Sequence, residues 1–172
     1  MRLESRTIET PIGPILLAGT ARGLALARVV ERDREARAWA HSHGVDLRPD
    51  EGSLETVACA YQGYFAGCLR EFEIPIDLAW GSPFQRAVWD ALRKIPYGST
   101  TTYGALARGL GFAPGASRAV GSANGANPIV IAVPCHRVVR RGGGLGGFAC
   151  GLWRKEHLLR LEGSWPVQPA LL

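Results

Sequence analysis

Ile129-Val130-Ile131-Ala132-Val133-Pro134-Cys135-His136-Arg137-Val138-Val139 is an apolar run that stops at a proline and then presents a thiol, an imidazole and a guanidinium in succession. It reads as a buried strand ending in chemistry. Thiolate is the reactive form of cysteine, and a free thiol of pKa about 8.5 is mostly protonated at neutral pH, so a nucleophilic Cys135 needs a base or a positive neighbourhood. His136 and Arg137 stand next to it in the chain. An isolated cysteine at a strand end is also commonly just a small buried hydrophobe, and one Cys-His pair is weak support for reactivity.

Upstream of this run the signals are helical. Ser82-Pro83-Phe84-Gln85 combines an N-cap serine, a proline at the first helical position and a glutamine at the capping-box position, so a helix starts there. Phe84, Ala87, Val88, Ala91, Leu92 and Ile95 form its inward face, and Pro96-Tyr97-Gly98 ends it. Thr101 or Thr102 caps a second helix through Leu110, and Gly111 to Gly115 turns into a third over 116–125, giving a helix-turn-helix. Ala116, Ala119, Val120 and Ala123 make the apolar stripe of that third helix, with Arg118, Gly121, Ser122 and Gly125 on its other face. Each interior glycine costs a helix about 1 kcal/mol relative to alanine, so a nearly bare face implies that something approaches closely. Small residues with one arginine suit minor-groove approach better than base reading in the major groove. For Arg118 alone, a phosphate contact or a solvated surface position is the plainer alternative.

Asn127-Pro128 breaks the third helix and leads into the Cys135 run, proline favouring extended geometry in the residue before it. Gly142-Gly143-Gly144-Leu145-Gly146-Gly147 is followed by neither Lys-Ser/Thr nor a strand-Gly-helix order, so it predicts a mobile loop and not a phosphate cradle. A last helix is expected from about Gly151 to Leu161. Glu156 falls four residues after Leu152 and three before Leu159, on an inward stripe where a carboxylate needs a partner. His136 supplies one, and Cys135–His136–Glu156 has the logic of nucleophile, base and orienting acid. The alternative is a surface pair of Lys155 and Glu156.

The first half of the chain has a different pattern. Short apolar runs alternate with turn signals over residues 7–30, an antiparallel meander, and Asp33 to Ala40 reads as a short helix before a polar loop from His41 to Gly52. Leu54, Val57, Ala58, Tyr61, Tyr64, Phe65 and Cys68 recur at helical spacing, predicting an amphipathic helix over 53–69, with Phe72 to Leu78 a further strand candidate. His41, His43, Cys59 and Cys68 suggest zinc only superficially, because nine residues at 100° each put Cys59 and Cys68 on opposite helix faces. No metal site is expected.

With 172 residues, 47% of them hydrophobic, the chain can pack one large core or two small ones. Residues 1–81 hold 9 Lys+Arg against 12 Asp+Glu, net −3, whereas 82–172 hold 11 against 3, net +8. That asymmetry points the second half toward a polyanion. No apolar window is long enough for a membrane span, and the N-terminus lacks a hydrophobic signal core, so a cytoplasmic location, or a nuclear one in a nucleated cell, is expected. Four cysteines without paired spacing agree with a reducing compartment.

Pro134-Cys135-His136-Arg137-Val138-Val139 resembles the active-site signature of the O6-alkylguanine-DNA alkyltransferases. The resemblance runs from Ser82 to Gly163 through Pro-Phe-Gln, Tyr-Gly, Ser-Arg-Ala-Val-Gly, Asn-Pro and Arg-Lys-Glu, and more loosely through the first eighty residues. It implies an α/β N-terminal domain of ribonuclease-H-like type over 1–78, a linker at 79–81, a mainly α winged helix-turn-helix domain over 82–163 and a tail at 164–172.

By the same resemblance the partner is double-stranded DNA containing O6-alkylguanine, bound by a monomer, with cooperative assembly left open and no cofactor. Cys135 takes the alkyl group once and irreversibly, His136 and Glu156 activate it, Tyr103 assists the leaving guanine, and Asn127 clamps backbone between helix and active-site segment. Arg118, Ala119, Ser122, Ala123 and Arg137 meet DNA, Arg118 filling the stack vacated by a flipped base, while Val138, Phe148, Ala149 and Cys150 line the pocket. A non-catalytic sensor of alkylated DNA and a cysteine hydrolase remain as alternatives. The sensors lack the cysteine, and a hydrolase leaves the bare helix face unexplained.

Overall fold

Alternating apolar residues and tight turns organise the first part of the computed structural model, which describes residues 2–31, 38 and 40–165. β1 (Arg2–Ile8), β2 (Ile15–Thr20) and β3 (Gly23–Val29) form an antiparallel meander, its first strand lying mostly before the residues 7–30 over which one is expected. Its central strand β2 is buried from Ile15 to Gly19, as a strand covered on both faces must be. The β2–β3 turn needs glycine: Gly23 has φ of 135°, and a Cβ there would lie 2.4 Å from the Pro75 carbonyl oxygen.

Two expectations for this region need correction. The segment expected as a polar loop contains a fourth strand, β4 (Asp46–Pro49), which pairs in parallel with β1 and gives the order β3-β2-β1-β4. Only two apolar residues, Val45 and Leu47, mark it, and both pack into the sheet core with Leu3, Leu16 and Leu26. The expected strand over 72–78 shrinks to one bridge, Ile76 to Leu24. Pro75 lacks the N–H that a ladder would use there, and Asp77 turns its side chain to Thr20, Arg22 and the Ala79 amide. The helix expected over Asp33–Ala40 falls mostly outside the described residues.

The predicted amphipathic helix is present as α1 (Glu55–Phe65), burying Val57, Ala58, Ala60, Tyr61 and Tyr64. The Tyr61 hydroxyl donates to the Val130 carbonyl at 2.6 Å. Residues 128–130 therefore belong to this first compact unit, with 1–80, and exchange backbone hydrogen bonds with Ala27 of β3. The apolar run is not one strand. After the single bridge from Ile129, Ile131 takes φ of 74°, in the left-handed region that a buried β-branched residue occupies only at a cost of about 1–3 kcal/mol. The chain turns there and enters the second unit, residues 81–127 and 131–172.

That second unit is mainly helical. α2 (Pro83–Leu92) begins with the expected capping box: the Ser82 hydroxyl accepts from the Gln85 amide at 3.2 Å, and the Gln85 side chain accepts from the Ser82 amide at 2.9 Å. It buries Val88, Trp89 and Leu92, and the Trp89 indole donates to the Ala123 carbonyl at 2.8 Å. Gly81 makes room for that indole, since a Cβ at 81 would stand 2.3 Å from the ring. Thr102 caps α3 (Tyr103–Gly109) through the Ala105 amide, and a Gly/Pro turn leads to α4 (Ser117–Gly125). A short parallel pair, β5 (Thr101–Thr102) with β6 (Val138–Val139), ties the start of α3 to the chain after Cys135. α5 (Leu152–Leu161) closes the unit. Among the described residues, no helix is long and apolar enough to cross a membrane.

Candidate active site

Pro134 ends the apolar run, and Cys135, His136 and Arg137 form one tight 3-10 turn before β6. All three side chains are buried, which for an imidazole and a guanidinium demands partners. Both find the same one, Glu162, one residue past α5. His136 Nε2 lies 2.8 Å from Glu162 Oε1, Arg137 donates through Nε and a terminal nitrogen at 2.9 Å each, and the Gly98 amide donates at 3.3 Å. Burial pushes the Glu162 carboxyl up, but the hydrogen bonds and charges of His136 and Arg137 outweigh it and hold the group at about 2. Arg137 is the permanent charge of the set, so Glu162 stays ionised at neutral pH even with His136 neutral.

An ionised Glu162 accepts from Nε2–H, which leaves the Nδ1 lone pair of His136 as an acceptor. Nδ1 is buried with no hydrogen-bond partner, as is Asn124 Oδ1 next to the turn. Burial, reinforced by the nearby Arg137 and Lys155 charges, lowers the His136 pKa despite Glu162, so the resting imidazole is neutral and able to take a proton. Cys135 is held as a thiol: burial raises its pKa to about 11, partly offset by the Asn127 side chain and by Lys155. The two asparagines fix the backbone around it. Asn127 Nδ2 donates to the Val133 carbonyl at 2.7 Å and Asn124 Nδ2 to the Cys135 carbonyl at 3.3 Å.

The carboxylate expected to serve His136 is elsewhere. Glu156 forms an exposed i,i+4 ion pair with Arg160 at 2.6 Å, its side chain 37% exposed. The inward stripe of α5 is Lys155, Leu158 and Leu159, and it continues to Glu162. Those residues sit at i, i+3, i+4 and i+7, a signal present in the sequence; Leu152, the anchor of the expected stripe, is instead 50% exposed. Asn124 and Lys155 were likewise missed as site residues. Polar side chains on buried stripes marked both.

Arg137 and Ala123, expected at the DNA face, are both buried. Arg137 is spent on Glu162, on the Ile95 carbonyl at 2.6 Å and on the Tyr97 ring, 5.8 Å from its centroid. Ala123 follows Val120 into the core of the unit and is 3% exposed. The remaining candidates on α4, Arg118, Ala119 and Ser122, face solvent. Gly121 stands against Tyr103, where a Cβ would lie 3.7 Å from the ring, and Gly125 has open space around it.

Tyr103 begins α3, half-buried, and its hydroxyl reaches toward the Gly147 carbonyl at 3.5 Å. Gly146, with φ of 73°, passes so close to this ring that a Cβ would come within 3.2 Å. Across the glycine loop Phe148 and Cys150 are half-buried and Ala149 exposed. The Cys150 thiol adds to the upward push on the Cys135 pKa. The buried Val138 turns its carbonyl to the Lys155 ammonium, 2.6 Å away.

The rest of the unit's charge lies outside. Arg86, Arg93, Lys94, Arg108, Arg118, Arg140 and Arg141 are exposed against one exposed carboxylate, Asp90, with Glu162 buried and Glu156 paired with Arg160, so net positive charge faces solvent. A buried thiol, a neutral acceptor imidazole and a basic surface with a small-residue helix together suit nucleophilic attack on a substrate carried by a polyanion.

Comparison with known proteins gives two family matches in sequence order. Residues 4–78 match the 6-O-methylguanine DNA methyltransferase ribonuclease-like domain, and 83–164 match the 6-O-methylguanine DNA methyltransferase DNA binding domain. A methylated-DNA–protein-cysteine methyltransferase of Mycobacterium bovis is 47% identical over 162 residues, covering 94% of this chain and 93% of that protein. One from Salmonella typhimurium is 42% identical over 171 residues, covering 95% and 97%. The crystal structure of Mycobacterium tuberculosis O6-methylguanine methyltransferase matches with a TM-score of 0.82 at 45% identity, covering 98% of this chain and 96% of that one. A structure of Mycobacterium tuberculosis OGT in complex with DNA matches with a TM-score of 0.81 at 44% identity, covering 95% and 94%.

Proposed function

Because the chain belongs to the methylated-DNA–protein-cysteine methyltransferase family, with its ribonuclease-like and DNA-binding domains in order, we propose that it repairs O6-alkylguanine in duplex DNA by a single transfer to Cys135. The observation that carries this reading is the buried Cys135–His136–Glu162–Arg137 set behind the small-residue face of α4. The damaged base is flipped out of the duplex, Arg118 fills the gap, and the alkyl carbon is presented to the thiol. The Cys135 proton passes to Nδ1 of His136, whose positive form Glu162 supports. The new S–C bond forms as the O6–C bond breaks, and Tyr103 assists the departing guanine, which ends with the proton the thiol lost. A thioether is inert to displacement, so each chain acts once, as a monomer and without a cofactor. Intact mass after incubation with excess O6-methylguanine oligonucleotide tests this: one added methyl group per chain is expected, at Cys135, and turnover or no adduct overturns it.

Three results are expected from the DNA face and pocket. Affinity for duplex should fall linearly on a log–log plot against salt and depend little on sequence, because phosphate contacts dominate. A strong sequence preference at fixed salt would point to a regulator. Arg118→Ala should slow repair in duplex about 10- to 100-fold, since filling the gap offsets unstacking that costs a few kcal/mol, with little effect on free O6-alkylguanine base. Equal losses on both substrates would remove the finger role. Cys150→Gly should raise the benzyl-to-methyl rate ratio, because an over-filled pocket costs about 1–3 kcal/mol and only the benzyl group has to share space with this sulfur. An unchanged ratio would sink the steric account.

A further inference from the structure

The mechanism above leaves one buried cation unused. Lys155 is 0% exposed, an extreme position for an ammonium. Its Nζ donates to the Val138 carbonyl at 2.6 Å and to the Gly147 carbonyl at 3.2 Å, and lies 6.0 Å from the centroid of the Tyr103 ring. Val138 follows Cys135 by three residues and Gly147 belongs to the glycine loop, so one ammonium joins the backbone just after Cys135 to that loop. The ionisable groups facing it are Cys135 and His136 of the 3-10 turn, Arg140 beyond β6 and Tyr103 of α3. Cys135 is the one that becomes an anion in the reaction, and Lys155 favours that anion.

We infer that Lys155 is a positioning residue for alkyl transfer: its ammonium pins the glycine loop to the backbone beyond Cys135 and stabilises the Cys135 thiolate as it forms. This rests on the function proposed above. A mere structural strut would not need charge. Two backbone carbonyls could be joined by a neutral donor, whereas the effect on Cys135 exists only while the amine is protonated. Burial and the nearby Arg140 charge lower the Lys155 pKa, the thiolate pulling the other way, to about 8, so the cation is present at neutral pH and lost just above it.

The test is the pH profile of single-turnover methyl transfer from a saturating O6-methylguanine duplex, for the wild-type protein, Lys155→Met and Lys155→Arg, with adducts counted by intact mass. An opposite charge within a few ångströms shifts a thiol by about 1–3 pKa units, and the weaker nucleophilicity of a more acidic thiol returns about half, so Lys155→Met should be about 3- to 30-fold slower at pH 7. Its deficit should shrink above pH 8, where the wild type loses the same charge. In the wild type the rise of rate with pH should flatten near pH 8, and in Lys155→Arg, permanently charged, it should not. A Lys155→Met deficit equal at every pH, or a wild-type profile without the flattening, overturns the electrostatic role. If Lys155→Met does not fold, the comparison of wild type with Lys155→Arg decides alone. Absence of any wild-type adduct would instead refute the proposed function.

Discussion

Cys135→Ser is expected to transfer no detectable alkyl group, a loss of at least about four orders of magnitude, while binding duplex DNA as tightly as the wild type. The hydroxyl is far less acidic than a thiol already held at about 11, and His136 is not basic enough to generate an alkoxide. Binding should be untouched because Cys135 is 4% exposed and, as a thiol, contributes no charge to the basic surface. Serine is also close in size to cysteine, and Asn127 stands beside the sulfur to partner a hydroxyl. Methyl groups recovered on Cys135→Ser would mean that another residue is the nucleophile. Lost affinity would mean that the cysteine supports the DNA face itself.

The second large effect separates two glutamates six residues apart. Glu162→Ala leaves the Arg137 guanidinium buried without its carboxylate and His136 without its orienting acceptor, a defect that typically costs about 3–5 kcal/mol. Transfer should fall with it, since nothing then supports the His136 cation formed when the thiol proton arrives. Glu156→Ala removes only an exposed i,i+4 pair worth about 0.3–0.5 kcal/mol, and should repair DNA at the wild-type rate. Urea unfolding and single-turnover rates for both variants check this; the reverse order of effects would restore Glu156 to the site. The pH dependence follows with its sign. The Glu162 pKa lies below its unfolded value of 4.5, so its contribution to stability is complete above pH 4.5 and is lost as pH falls through about 2. Unfolding free energy of Glu162→Gln should therefore vary less over that acid range than that of the wild type.

Much of this protein is local in origin, and local features were legible. The capping box at Ser82–Gln85, the threonine cap of α3, the meander of β1 to β3 and the helix around Tyr61 each depend on residues within one turn or one hairpin. The Pro-Cys-His-Arg segment sets its candidate thiol and imidazole in consecutive residues, so Cys135 and His136 stay together whatever the fold. The charge difference between the two halves is compositional, and it indicates the polyanion whatever the fold.

Only tertiary structure decided the partners. Helical spacing allows either Glu156 or Glu162 to point inward, and the choice between them depends on where the 3-10 turn brings His136. Whether Arg137 faces DNA or the core follows from that same carboxylate, because a buried anion recruits the nearest guanidinium. β4 exists because the free edge of β1 accepts it, not because Asp46-Leu47-Arg48-Pro49 favours a strand. The run from Ile129 to Val139 gives Ile129 and Val130 to one unit and Cys135 to the other, with Ile131 turning between them, since continuous hydrophobicity records burial and not which core does the burying.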